Sequence, residues 1–224
     1  MKLKRTILAL GALLALIALS GCGVEYVSPY EDIPRPVATL TMNDGGVIRL
    51  TLYPSVAPNT VSNFISLANS GYYDGLTVDY VYPTYFIRGG DPNGDGTGGP
   101  DYTIDGEFSE NGFPLEGLAH TRGTISMCRL TDDYDSAGSQ FFIMLSDHSE
   151  YNGKYAAFGR IDENDRASLA ALDAIAAYTL DKSYRPMDKQ IIKSIRVDTK
   201  GYVYEVIKSG EETQTHEPDA SAAP

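Results

Sequence analysis

Gly138-Ser139-Gln140-Phe141-Phe142-Ile143-Met144-Leu145 is the stretch whose reading decides the fold. Gln140 to Leu145 is an apolar run of strand length, bounded by a Gly-Ser turn signal and by Ser146-Asp147-His148-Ser149, so it reads as a largely buried strand. Side chains alternate along a strand, which puts Gln140 on one face with Phe142 and Met144. An amide that both donates and accepts, set beside an aromatic floor, suits a small apolar binding pocket. Two further segments belong with it: Tyr85-Phe86-Ile87-Arg88-Gly89-Gly90-Asp91 upstream and Tyr155-Ala156-Ala157-Phe158-Gly159-Arg160-Ile161 downstream.

Working outward, most of the chain carries strand patterns. Val37 to Met42 and Val47 to Leu52 flank Asn43-Asp44-Gly45-Gly46, a strong hairpin signal. Leu76 to Tyr82 and Tyr85 to Arg88 flank Pro83-Thr84 and read as a second hairpin. Strand-like pieces follow at Tyr102 to Phe108, Gly123 to Leu130, Gln140 to Leu145, Tyr155 to Ile161 and Gln190 to Val197. Only two helices are predicted. One starts at Pro58, recurs through Val61, Phe64, Ile65 and Ala68 and stops at Gly71; the other spans Asp165 to Tyr178. Many short strands with two helices give a mainly β reading, and a closed barrel is one good solution because it leaves no exposed edge.

The 224 residues suffice for one domain with a full core. Ahead of it, Lys2, Lys4 and Arg5 precede an uncharged apolar run from Thr6 to Leu19 that is shorter than the roughly 20 residues of a spanning helix. Residues 1–21 therefore read as a secretory signal. Leu19-Ser20-Gly21-Cys22 resembles a bacterial lipobox, which implies cleavage before Cys22, lipid on its sulfur and a home on the extracytoplasmic face of a cell membrane. Residues 22–36, with Pro29, Pro34 and Pro36, read as a spacer, and 37–200 as the domain. Gly201 to Ile207 alternates like an added strand, and Ser209 to Pro224 reads as a disordered acidic tail. With Cys22 lipidated, Cys128 has no disulfide partner and reads as a small buried strand residue. The formal charge of −12 makes nucleic acid an improbable partner. A monomer is expected, without a cofactor.

The ordered motifs Gly89-Gly90-Asp91, Gly96-Thr97-Gly98-Gly99, Gly123-Thr124-Ile125-Ser126-Met127, Gly138-Ser139-Gln140-Phe141-Phe142-Ile143 and Phe158-Gly159 resemble those of the cyclophilin peptidyl-prolyl cis/trans isomerases over about residues 37–198. The resemblance implies an eight-stranded antiparallel barrel with a helix capping each end, and an activity on proline-containing polypeptide segments. Phe86, Met127, Gln140 and Phe142 carry over as pocket positions. The rim departs from the pattern. Val78-Asp79-Tyr80 stands where the family has Phe-His-Arg, so the main catalytic arginine is Tyr80; Arg88 replaces a Gln, Tyr155 a His, Arg129 a pocket Asn and Glu150 a Trp.

Rotation about an X-Pro bond faces a barrier of ~18–20 kcal/mol, lowered by a donor aimed at the prolyl nitrogen. Tyr80 and Arg88 come from paired strands and Arg88 shares a face with Phe86, so the guanidinium has either moved to the partner strand or pairs with an acid such as Asp91. The candidate catalytic residues are accordingly Arg88, Tyr80 and Gln140, with Phe86, Met127, Arg129, Phe142 and Tyr155 as substrate-binding residues. The expected function is a membrane-anchored isomerase of attenuated activity that assists protein folding; the alternative is a non-catalytic module that binds proline peptides. Asp91 to Gly96 begins like a calcium loop, but its twelfth position is Tyr102 where a bidentate Glu is needed, so no metal is expected. Asp132, Asp133 and Asp135 read as an insertion relative to the family pattern, by default a solvated loop, with a selector for basic substrates as the alternative.

Overall fold

Alternation of inward apolar and outward polar residues builds the first hairpin. Ala38, Leu40 and Met42 of β1 (Val37–Met42) and Ile48, Leu50 and Leu52 of β2 (Val47–Leu52) are buried, while the residues between them stay partly or fully exposed. Gly45 takes φ +94° in the turn and Asp44 Oδ1 accepts the Gly46 N–H at 2.9 Å. The computed structural model describes Ser28 and residues 30–211, and continues with α1 (Pro58–Asn69), β3 (Thr77–Tyr82), β4 (Phe86–Asp91), β5 (Thr124–Met127), β6 (Phe141–Met144), β7 (Ala157–Arg160), α2 (Arg166–Ala176) and β8 (Gln190–Asp198). The strands close into an antiparallel barrel in the order β1-β2-β7-β5-β6-β4-β3-β8. Closure pairs every strand on both sides and leaves no edge to aggregate.

The interior is filled from the strands and from α1. Phe64 of α1 is fully buried, 5.1 Å from Phe158, 5.9 Å from Phe141 and 5.5 Å from Tyr73 by ring centroids. Replacing such a ring with Ala typically costs ~3–5 kcal/mol. Helix α1 begins at Pro58, as expected, but has no side-chain cap of its own. Glu107 supplies one from a distant loop, accepting the N–H groups of Asn59 (2.9 Å) and Thr60 (2.7 Å). Burial pushes the Glu107 carboxyl up to about 7 even against these bonds. Helix α2 is capped by Asp165 and tied to β2 by Arg49 N–H to Ser168 Oγ at 2.9 Å.

Three expectations are corrected. Tyr102 to Phe108 is not a strand but contributes a single bridge, Ile104 to Ala137, because the Gly106 N–H goes to Asp135 Oδ1 (3.0 Å) instead of to a neighbouring backbone. Gly201 to Ile207 forms no strand. Lys200 (φ +56°) and Gly201 (φ +87°) turn the chain away from β8, and both backbone groups of Ile207 bond the Asn59 amide at 2.8 Å. This C-terminal arm continues to Ser209, whose N–H donates to Thr103 O at 2.8 Å. The segment read as a spacer touches the body at three of its described residues: Ser28 Oγ donates to Pro54 O, Tyr30 stacks on Tyr204 at 5.2 Å, and Arg35 sits 4.3 Å over the Tyr53 ring. The signal, Cys22 and residues 212–224 lie outside the described residues. Among the described residues no helix is long and apolar enough to cross a membrane.

Candidate functional site

The β3–β4 hairpin carries a bulge that re-aims one side chain. Tyr80 pairs with Arg88 and Tyr82 with Phe86, but the register slips between Val78 and Tyr80, leaving Asp79 as the extra residue. Val78 and Asp79 are consequently both buried. Arg88 answers the carboxylate: Nε reaches Asp79 Oδ2 at 3.1 Å and Nη2 bonds the same oxygen at short range. The Asp79 side chain is 2% exposed, that of Arg88 23%. Burial raises the Asp79 carboxyl above its ordinary value, and the guanidinium pulls it part of the way back. The guanidinium also lies 5.3 Å over the Tyr80 ring. Asp91, the acid weighed as its partner, is engaged elsewhere, accepting the N–H groups of Asn93 and Gly98 at 2.9 Å and that of Gly96.

Arg88 pairs across the sheet with Phe142, and Phe86 packs on Phe142 at 5.2 Å, so β4 and β6 together make an aromatic floor with one cation at its side. Gln140 stands at the head of β6. Its Nε2 donates to Gly96 O (3.1 Å) and Gly98 O (2.8 Å), fixing the glycine loop and leaving Oε1 without a partner among the described residues. Gly90 has to be glycine here: its φ is +88°, and a Cβ would lie 2.4 Å from Ser139 O.

Two predicted lining residues have other roles. Met127 pairs with Phe141 and joins the barrel core, because the two-residue period gives the outward side of β5 to Ser126. Arg129 spends its N–H groups on Lys154 O (3.0 Å), Leu130 O (2.8 Å) and Thr131 O (3.0 Å), while its guanidinium packs over Tyr134 (4.4 Å) and Tyr155 (4.7 Å). It fastens the acidic insertion to the rim. Tyr155 itself edges onto Phe142 at 5.4 Å. Glu150 is exposed and pairs with His148 Nδ1 at 2.8 Å.

Sequence reasoning missed His120. It is buried and stacked 5.9 Å behind Phe142, with Nδ1 3.0 Å from Asn152 Oδ1 and Nε2 2.8 Å from Ser126 Oγ. Asn152 Oδ1 accepts only, so Nδ1 carries the proton and Nε2 accepts from the serine; burial lowers the His120 pKa and keeps the ring neutral. No periodicity marks the loop it comes from. Two concavities flank the floor without containing it: one of about 670 Å³ between Pro100–Thr103 and the C-terminal arm, and one of about 360 Å³ bounded by Asp79, Asp91, Arg185 and Lys189.

A family model described as cyclophilin type peptidyl-prolyl cis-trans isomerase/CLD matches residues 37–197. Peptidyl-prolyl cis-trans isomerase B of Bacillus subtilis is 43% identical over 120 residues, covering 54% of this chain and 79% of that protein. A peptidyl-prolyl cis-trans isomerase of Helicobacter pylori is 40% identical over 145 residues, covering 65% and 84%. Among solved structures, the Cryptosporidium parvum cyclophilin type peptidyl-prolyl cis-trans isomerase, crystallised in the presence of the dipeptide Ala-Pro, superposes with a TM-score of 0.63 at 30% identity, covering 73% of this chain and 99% of that one.

Proposed function

Since the chain belongs to the cyclophilin-type peptidyl-prolyl cis-trans isomerase family, we propose that it is an isomerase of reduced rate, carried on the extracytoplasmic face of a membrane by lipid on Cys22 and acting on exported polypeptides. The observation that carries the reduced rate is the engagement of Arg88. Two of its three nitrogens are committed to Asp79, and the position of the family arginine holds Tyr80. Anchoring rests on the Leu19-Ser20-Gly21-Cys22 motif.

In this reading the proline ring settles on Phe86 and Phe142. Gln140 Oε1 accepts a backbone N–H from the bound segment, which holds one side of the X-Pro bond while the other turns. Arg88 Nη1, the nitrogen not bound to Asp79, donates toward the prolyl nitrogen as amide resonance is lost. A guanidinium already paired with a carboxylate is a poorer donor than a free one, and Tyr80 offers only a neutral hydroxyl. Losing a preorganised donor of this kind typically lowers the rate ~10²- to 10³-fold.

A protease-coupled isomerisation assay on a short X-Pro peptide tests this. The wild type should turn over measurably, and Asp79→His/Tyr80→Arg/Arg88→Gln, which restores the family residues together, should raise kcat/KM by about 10²-fold or more. No gain from the triple variant would refute the account of the rate. A wild type that binds the peptide without turning it over would establish instead the second reading, a proline-binding module, which the Asp79–Arg88 pair also favours.

A further inference from the structure

The aromatic floor does not end at the proline pocket. From Phe86 it continues along the outward face of the β3–β4 hairpin: Tyr82 lies 5.9 Å from Phe86, Tyr85 stacks on Tyr82 at 4.4 Å, and Tyr184 stands 5.7 Å from Tyr82 and 6.0 Å from Tyr80. Tyr151 borders the other side of Phe86 at 6.2 Å. None of these five tyrosyl hydroxyls has a hydrogen-bond partner among the described residues.

Tyr184 is brought to this surface deliberately. It comes from the loop between α2 and β8, where Asp181 Oδ1 accepts the N–H groups of Ser183 (2.7 Å) and Arg185 (3.0 Å), and Val81 N–H bonds Tyr184 O at 2.9 Å. Its φ is +61°, a left-handed conformation that a bulky residue adopts only where its surroundings impose it. The loop thus presents a ring, 43% exposed, beside the hairpin.

A patch of aromatic rings whose hydroxyls have no partner among the described residues is the chemistry that receives a polyproline-type helix. Such a helix makes no internal hydrogen bonds, so its carbonyls are free to accept, and its prolines recur every three residues, about 9 Å along the axis. That repeat lies within the reach of the two successive contacts that lead from Phe86 through Tyr82 to Tyr184, 5.9 and 5.7 Å. The Tyr82–Tyr85 stack at 4.4 Å leaves no gap to enter, so the prolines lie across the ring edges, and each tyrosine can donate to a carbonyl. The surface is continuous with the pocket through Phe86, so one segment can occupy both.

Resting on the isomerase reading, we propose that the tyrosine belt binds the proline-rich continuation of the substrate, and that the protein selects prolines set in polyproline-type segments over isolated ones. The test uses the full-length chain and two ten-residue peptides, one with a single Ala-Pro bond among alanines and glycines, the other with added prolines at three-residue intervals. Calorimetry should give at least a tenfold lower Kd for the second peptide. Tyr184→Ser combined with Tyr82→Ser should erase that difference while the affinity and turnover of the single-proline peptide stay as they were; Tyr82→Phe, which keeps the ring and loses the hydroxyl, should erase part of it. Equal affinities for the two peptides in the wild type, or an equal loss for both in the double variant, overturn the proposal. So does a wild-type dimer in sedimentation that Tyr184→Ser dissociates in place of any affinity difference, since the belt would then serve a second copy. A tenfold preference without turnover of either peptide supports the belt and refutes the isomerase reading.

Discussion

Arg88→Gln should destabilise the protein as well as slow it, and the pH dependence of the loss tells why. The substitution leaves Asp79, whose side chain is 2% exposed, with no cation to answer its charge. Breaking a fully buried pair costs ~3–5 kcal/mol; Arg88 is 23% exposed, so about 2–3 kcal/mol is expected here. For a domain of this size each kcal/mol moves Tm by ~2–4 °C, so Tm should fall by roughly 4–12 °C. Burial already raises the Asp79 carboxyl above 3.8, and removal of Arg88 raises it further. A carboxyl raised on folding contributes stability below its unfolded value and loses it as pH rises through its folded value. The deficit relative to wild type should therefore be small near pH 4 and grow from there toward pH 8. Circular-dichroism melts of the wild type, Arg88→Gln and Asp79→Asn/Arg88→Gln at both ends of that range provide the assay. The double variant, with no buried charge to strand, should regain most of the loss. A Tm for Arg88→Gln within 1–2 °C of wild type at high pH, or a deficit independent of pH, would show that the pair does not hold this part of the site.

Glu107→Gln should remove a pH dependence of stability, because a carboxyl raised from 4.5 to about 7 contributes stability below 4.5 that is lost as pH rises through about 7. Relative to wild type, the variant should gain up to about 3 kcal/mol between pH 4.5 and 8 in denaturant melts. Cys128 is half-buried as a residue, but desolvation at its thiol pushes it up to about 12, so in Cys22→Ala protein its alkylation by iodoacetamide at pH 8 should run at least ~100-fold slower than that of free cysteine; a comparable rate shows that the exposed part of the residue gives the sulfur to solvent. Cell fractionation of Cys22→Ala should find the protein released from the membrane or retained as precursor, and unchanged association of a correctly cleaved chain would refute lipid anchoring.

The barrel was legible wherever one face of a strand meets water. In β1 and β2 the alternation of Leu40 with Thr39 and Thr41, and of Leu50 with Arg49 and Thr51, fixes both element and face. The pairing of Tyr80 with Arg88 followed from the hairpin alone. Where every residue of a strand is buried, as in β5, period two does not say which side is the interior, and Met127, taken as a pocket position from the family resemblance, packs in the barrel core. Asp79 was hidden for a different reason: a bulge breaks the period locally, and no residue type announces it. Gly201 to Ile207 shows the converse, an alternating pattern that satisfies its backbone on the Asn59 side chain instead of on a sheet. His120 depends on Ser126 and Asn152, which only the closed barrel brings together.

The contact of Tyr30 with Tyr204 bears on the topology of the chain as well as on its stability. It brings the stretch entering the barrel and the stretch leaving β8 to within a ring's width of each other. Chains with neighbouring entry and exit points are suited to circular permutation. A short linker joining these two stretches, with new ends opened at the exposed Asp132-Asp133 turn, would keep every barrel pairing, the Glu107 cap and the tyrosine belt. In such a permutant a tether attached at the new N-terminus would emerge beside Arg129 and Tyr155, and the rim of the site would then sit next to whatever surface the protein is held on.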